Sequence, residues 1–372
     1  MSNIRGQGPT YTYDSAGRFS YAGEAKDGDT KESWQYCYDP AGNLTSQGIT
    51  EGCPRGTTYD VNDASQITAK NGTSDNWSYD LAGNETAAAS TPAGTRTGET
   101  YTDFKQLLTV TVGGTTYRGQ YASTDASERT KFGNTVFHNG PLGIAGQTTD
   151  GVDQGFIREP GGTLNSMNTG GKTYYYLTDA LGSVIGLADE SGKKVDTYSY
   201  SPRGVTRTAA TDETVAQPFR FAGGYQDPTG LYHLGARYYD PNIGRFTQPD
   251  PSGQEKNPYL YAAGDLVNRI DASGTSWKAT VEGCYVACVS GGLTRNSDGS
   301  LHASLGTGVG SPSVNGGLET SSADAGSGFS VNGECGAGSG TVSLSNSGDV
   351  SVGAGTEYHS DPECSVTGEY TW

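Results

Sequence analysis

Two carboxylates stand in related turns, Asp250-Pro251-Ser252-Gly253 and Asp271-Ala272-Ser273-Gly274, 21 residues apart. An Asp opening a tight turn is aimed by its own backbone hydrogen bonds, and a Gly at the fourth position closes the corner. Brought within reach of one shared proton, two such groups push their pKa values apart, so that one activates water while the other protonates a carbonyl. If the bond attacked belongs to the same chain, no substrate-binding energy is needed. Asp227-Pro228-Thr229-Gly230 has the same form, so plain turn punctuation is the competing reading. Arg237 and Arg245 could orient the carboxylates, or serve as structural ion pairs in a buried β layer.

The other reactive side chains carry a weaker signal. Of six cysteines, Cys37 and Cys53 lie near the N-terminus, while Cys284, Cys288, Cys335 and Cys364 fall in the last 97 residues. Four in so short a stretch imply two disulfides, with three pairings open, and an oxidising destination. A metal site is the rival, but Cys284 and Cys288 lack the usual two-residue spacing and a second close pair, so no metal or cofactor is expected. His302 and His359 have no Ser or Cys motif around them and read as surface residues. Neither a phosphate-binding loop nor a G-x-S-x-G elbow occurs.

The elements that must position these groups are short strands and corners. Units beginning Tyr13-Asp14-Ser15-Ala16-Gly17, Tyr38-Asp39-Pro40-Ala41-Gly42, Tyr59-Asp60-Val61-Asn62 and Tyr79-Asp80-Leu81-Ala82-Gly83 recur at spacings of 25, 21 and 20 residues, and a degenerate unit follows at Tyr101-Thr102-Asp103-Phe104. Each reads as strand, turn, strand: Asp caps the corner and Gly permits a positive φ. With 57 glycines, 24 tyrosines and charged residues at 17%, the composition predicts an all-β fold. Leu231 to Tyr239 reads as one strand with an irregularity at Gly235. After Thr275 the Tyr-Asp units vanish and alternating stretches such as Thr341-Val342-Ser343-Leu344-Ser345 predict a separate small β domain.

Charge and hydropathy narrow the function. The net charge is −17, and residues 276–372 hold ten acidic against two basic side chains. That balance argues against nucleic acid as a partner and against a nuclease. No apolar run approaches a membrane helix and the N-terminus has no apolar signal core, so export is expected to use another route.

Asp227-Pro-Thr-Gly-Leu-Tyr-His-Leu-Gly-Ala-Arg-Tyr-Tyr-Asp-Pro241, then Gly244-Arg-Phe-Thr-Gln-Pro-Asp-Pro251, then Asn257-Pro-Tyr-Leu-Tyr-Ala-Ala-Gly-Asp-Leu-Val-Asn268 resembles the core-associated domain that closes Rhs, or YD-repeat, proteins. The resemblance implies a β ribbon that winds into a hollow shell (residues 1–200), the core-associated domain (201–275) and a variable C-terminal payload (276–372). It further implies that Asp250 and Asp271 form an intramolecular aspartyl protease cutting between Thr275 and Ser276. Ala272 stands where the family has Pro, Thr275 where it has Leu, and Leu266 where Pro is common, departures that loosen the second turn and remove an apolar anchor.

A 97-residue payload has a radius of about 16 Å. Wrapping it needs on the order of 340 strand residues, more than the 275 that precede it. The shell is therefore expected to stay open, or to be completed by a further shell-forming segment or chain. As a polymorphic toxin the protein implies an immunity protein and delivery machinery, with a payload that is membrane-active or binds a surface ligand. The competing reading is a secreted or cell-surface adhesin in which the tail is a permanent recognition module and the aspartates are structural.

Overall fold

The computed structural model describes residues 10–275, apart from 27–28, 51, 55, 75–76, 92–93 and 254, and, beyond them, the backbone of six strands between 278 and 371. The chain divides into two compact units, Met1–Trp277 and Lys278–Trp372. No described helix is long and apolar enough to cross a membrane.

The Tyr-Asp units form the expected ribbon. Six strands from Thr10–Tyr13 to Ile67–Lys70 make one sheet and thirteen from Ser78–Tyr79 to Lys194–Thr197 make a second, each strand pairing antiparallel with its sequence neighbour. Neither described sheet closes on itself. The corners explain the repeat. Oδ1 of Asp14, Asp80 and Asp179 accepts backbone N–H groups two and four residues on, at 2.8–3.0 Å. Gly17, Gly83 and Gly182 turn the chain at positive φ, a region that costs a residue with a Cβ about 1–2 kcal/mol.

The stretch after residue 220 packs between these sheets. Its own small sheet runs Tyr225–Gln226, Tyr232–Leu234, Arg237–Asp240 and Arg245–Phe246. Leu231 to Tyr239 is thus a hairpin and not one strand: Leu234 pairs with Arg237 across a two-residue loop whose first residue, Gly235, has φ +52°. Side chains alternate along it. Tyr239, Phe246 and Tyr261 join Phe19, Tyr36, Leu44 and Ile67 of the first sheet in one core. Tyr238 and Leu231 join Phe132, Phe156, Met167 and Leu187 of the second sheet in another.

Buried ion pairs fasten the hairpin to the ribbon. Arg129 donates both terminal nitrogens to Asp227, at 2.6 and 2.9 Å, and one of them to the Tyr238 hydroxyl at 2.8 Å. Arg96 is enclosed by Glu85, Glu99 and Asp240. A disulfide, Cys37–Cys53, ties the strand Asp29–Tyr38 to the loop 16 residues on. The side chains of the other four cysteines, and with them the expected disulfides, lie outside the described part of the chain.

The second unit contains a long hairpin, Lys278–Arg295 with Leu301–Asn315, and a four-stranded sheet ordered Val350–Gly355, Gly338–Ser345, Gly328–Cys335, Ser365–Thr371. A strand thus occurs at the alternating stretch Thr341-Val342-Ser343-Leu344-Ser345.

Two stability predictions follow from the buried charges. Arg129→Met strands the Asp227 carboxylate in the core and is expected to cost about 3–5 kcal/mol, and adding Asp227→Leu should restore most of it; urea unfolding curves measure both. Burial pushes Glu85 up to about 8, with Arg96 opposing and Glu99 and Asp240 adding to the rise. The folded chain therefore holds a proton that the unfolded chain releases near 4.5. That contribution is complete in acid and is lost as pH rises through about 8. Glu85→Gln should flatten this decline in unfolding free energy between pH 5 and 8.

Candidate active site

The two turns that carry the aspartates are linked through one arginine. Asp250 and Asp271 are both buried. Asp250 shapes its own corner: Oδ1 accepts the Ser252 amide at 2.9 Å and Oδ2 accepts the Ser252 hydroxyl at 2.6 Å and the Glu255 amide at 3.3 Å. At the second corner Oδ1 of Asp271 accepts the Ser273 hydroxyl at 3.2 Å, and Ser273 in turn accepts the Thr275 amide at 3.3 Å.

Arg237 joins them. Nη2 donates to Asp271 Oδ2 at 3.0 Å and Nε donates to the Gly274 carbonyl. Nη1 donates at 3.1 Å to the Pro258 carbonyl, which also accepts the Asp250 amide at 2.7 Å. The guanidinium lies 3.5 Å from the centre of the Phe246 ring, which desolvates it. Burial pulls Arg237 below its usual pKa, while the charges of Asp271 and Asp250 pull it back. Burial alone would raise Asp250, but its bonds to Ser252, the charge of Arg237 and the Glu255 amide outweigh it and hold the carboxyl below its usual value. Asp250 is therefore ionised at neutral pH.

Two glycines let the second turn come this close. Gly235 and Gly274, both at positive φ, face one another's backbones: a Cβ on Gly235 would collide with the Ser273 carbonyl, and one on Gly274 with the Leu234 carbonyl. The Ala236 amide bonds the Ser273 carbonyl at 2.8 Å in the space left. Gly235 was visible in the sequence as an irregularity, and its partner across the contact was not.

Of the two arginines singled out, Arg237 reaches the aspartates and Arg245 does not. Arg245 donates Nη2 to the Ser65 carbonyl at 2.7 Å and lies over the Tyr259 ring. Ser276 lies outside the described residues, and Thr275 is half-buried at the mouth of the turn. Lys105, which the sequence reading passed over, sends Nζ to the Pro249 carbonyl at 3.4 Å. Among the described residues no three His, Cys, Asp or Glu side chains converge as a metal set.

A family model described as the teneurin YD-shell matches residues 149–261. The chain is 32% identical over 261 residues to the tRNA3(Ser)-specific nuclease WapA of Bacillus spizizenii, a match covering 64% of this chain and 11% of that protein. It is 34% identical over 116 residues to toxin protein Tse5 of Pseudomonas aeruginosa, covering 30% and 9%. This chain is a YD-repeat protein of the Rhs type. The YD-repeat chain spans about a tenth of the length of these relatives. It also matches salivary gland surface protein 1 of Aedes aegypti, 33% identical over 160 residues, covering 42% and 4%. Among solved structures it is similar to the Photorhabdus luminescens Tc holotoxin pore at 17% identity, with a TM-score of 0.38, covering 72% of this chain and 18% of that one.

The close backbone contact gives a direct test. Gly274→Ala should lift the turn off the hairpin, so that hydrogen exchange at the Ala236 amide quickens by about tenfold or more while the amides of Arg245–Phe246 keep their protection.

Proposed function

We propose that this YD-repeat protein is the scaffold of a polymorphic toxin that cuts itself between Thr275 and Ser276 and releases residues 276–372 as its effector. The observation that carries the reading is the grip of Arg237, which joins the Asp271 carboxylate to the Gly274 carbonyl, one residue before the bond to be cut. Ionised Asp250 accepts a proton from water, and the hydroxide adds to the Thr275 carbonyl carbon. Arg237 stabilises the negative charge that forms on oxygen, and Asp271 holds its guanidinium in place. Collapse breaks the C–N bond, and the proton passes to the Ser276 nitrogen, leaving a Thr275 carboxylate and a free amine. Because the substrate is tethered, positioning supplies much of the rate.

The target of the effector rests on its relatives as much as on its charge. Relatives named as tRNA nucleases, and one named as a double-stranded DNA deaminase toxin, match this chain. A nucleic-acid target therefore stands beside a membrane or a surface ligand, against the exclusion drawn from the acidic balance. The open sheets support a further shell-forming segment or chain as a partner. Toxin relatives support delivery machinery, an extracellular route and an immunity protein.

A second reading, a surface protein whose tail stays attached, is favoured by the match to a salivary gland surface protein and by Ala272 and Thr275 at the second turn. Mass spectrometry of the purified chain beside Asp271→Asn separates the two. Self-cleavage predicts a fragment of residues 276–372 from the first and none from the second; intact mass from both leaves the scaffold reading.

A further inference from the structure

Within the two ribbon sheets, eight described corners share one pattern, in which the first residue's amide bonds the fifth residue's carbonyl and the fourth residue's amide bonds the first's: they close at Gly17, Gly42, Ser65, Gly83, Lys105, Gly162, Gly182 and Gly192. All eight turn at positive φ, and six use glycine, the residue that does so without strain. Lys105 is the bulkiest exception, at φ +62°. A long side chain kept at a strained position points to a role for that side chain.

The contacts of Lys105 supply one. Its carbonyl accepts from Gln248 Nε2 at 3.4 Å, and its Nζ donates to the Pro249 carbonyl at 3.4 Å. Gln248 Oε1 in turn accepts the Tyr238 amide at 2.9 Å, next to Arg237. The corner of the degenerate repeat thus holds the main chain that leads into Asp250. The charged groups in this field are Asp250, Arg237 and Asp80 around Lys105, with Glu255 beside Asp250 and Asp271 beyond Arg237.

We propose that Lys105 is a positioning residue for the aspartate site: the ribbon corner fixes the Pro249–Asp250 main chain and keeps a second cation beside the Asp250 carboxylate. This rests on the self-cleavage reading. It makes cutting conditional on the ribbon, because the site is complete only once the fifth Tyr-Asp unit has folded against the core-associated stretch. Burial and Arg237 pull the Lys105 amine below its usual pKa while Asp250 and Asp80 oppose them, consistent with an amine held in that field.

Three substitutions in the full chain test it. Lys105→Gly relieves the corner and should raise the melting temperature yet slow cleavage by about tenfold. Lys105→Met keeps the length without the donor and should be as slow. Lys105→Arg keeps donor and charge and should cleave at nearly the parent rate. A Lys105→Met chain cleaving like the parent, or a Lys105→Arg chain as slow as Lys105→Met, overturns the proposal. In the uncleavable Asp271→Asn background, carbon-13 titration of the Asp250 carboxyl reads the coupling without any cutting. Its midpoint should rise by about half a pH unit with Lys105→Met and stay with Lys105→Arg. If the parent chain never cleaves, the self-cleavage reading falls, and this titration alone decides: an unmoved midpoint overturns the role of Lys105.

Discussion

Four consecutive buried side chains, Arg237 to Asp240, each bind a different part of the first unit. Arg237 takes the Asp271 turn, Tyr238 enters the core of the larger sheet, Tyr239 enters the core of the smaller one, and Asp240 closes on Arg96. A strand's two-residue period makes this division possible, since neighbours point to opposite faces. The candidate site is held through the same short strand that joins the two halves of the ribbon. A shift of one residue in its register would exchange the cores and carry the guanidinium away from both aspartates.

Charges in such a place are costly unless paired. Taking a guanidinium out of water costs several kcal/mol, which good geometry and full hydrogen bonding offset. Arg129 and Arg237 also lie over aromatic rings, Phe137 and Phe246, whose faces offer further compensation. The gain is in specificity more than in stability: an arginine fork accepts one arrangement of carboxylate and carbonyl and rejects others. At the aspartates that selectivity decides which carbonyl lies under the cation.

Much of this was legible in the residues because it is local. The Asp-to-amide corners and their glycines span five residues, so their chemistry shows as a repeat, and the all-β ribbon follows. Asp250, Asp271 and Arg237 could be named because they lie within one stretch. What escaped was long-range. Arg129 meets Asp227 across 98 positions and Arg96 meets Asp240 across 144, with no spacing to betray them. Cys37 and Cys53 likewise gave no sign of their pairing until strand register brought them together. In the sequence Gly235 reads as an interruption, because a two-residue hairpin loop and a bulge both ask for glycine. Lys105 gives no signal for the opposite reason, standing where the repeat calls for glycine.

Because the strands within each ribbon sheet pair with their predecessors, they can be laid down as they leave the ribosome, with little loop closure to overcome. The covering stretch is made last. Until synthesis passes residue 261, rings such as Phe19, Phe132 and Phe156 have no lid and face water or other nascent chains. Growth in order with late sealing leaves a window of stickiness that lengthens with slower translation, and a chain of this design gains from chaperones that shield apolar sheets during that interval.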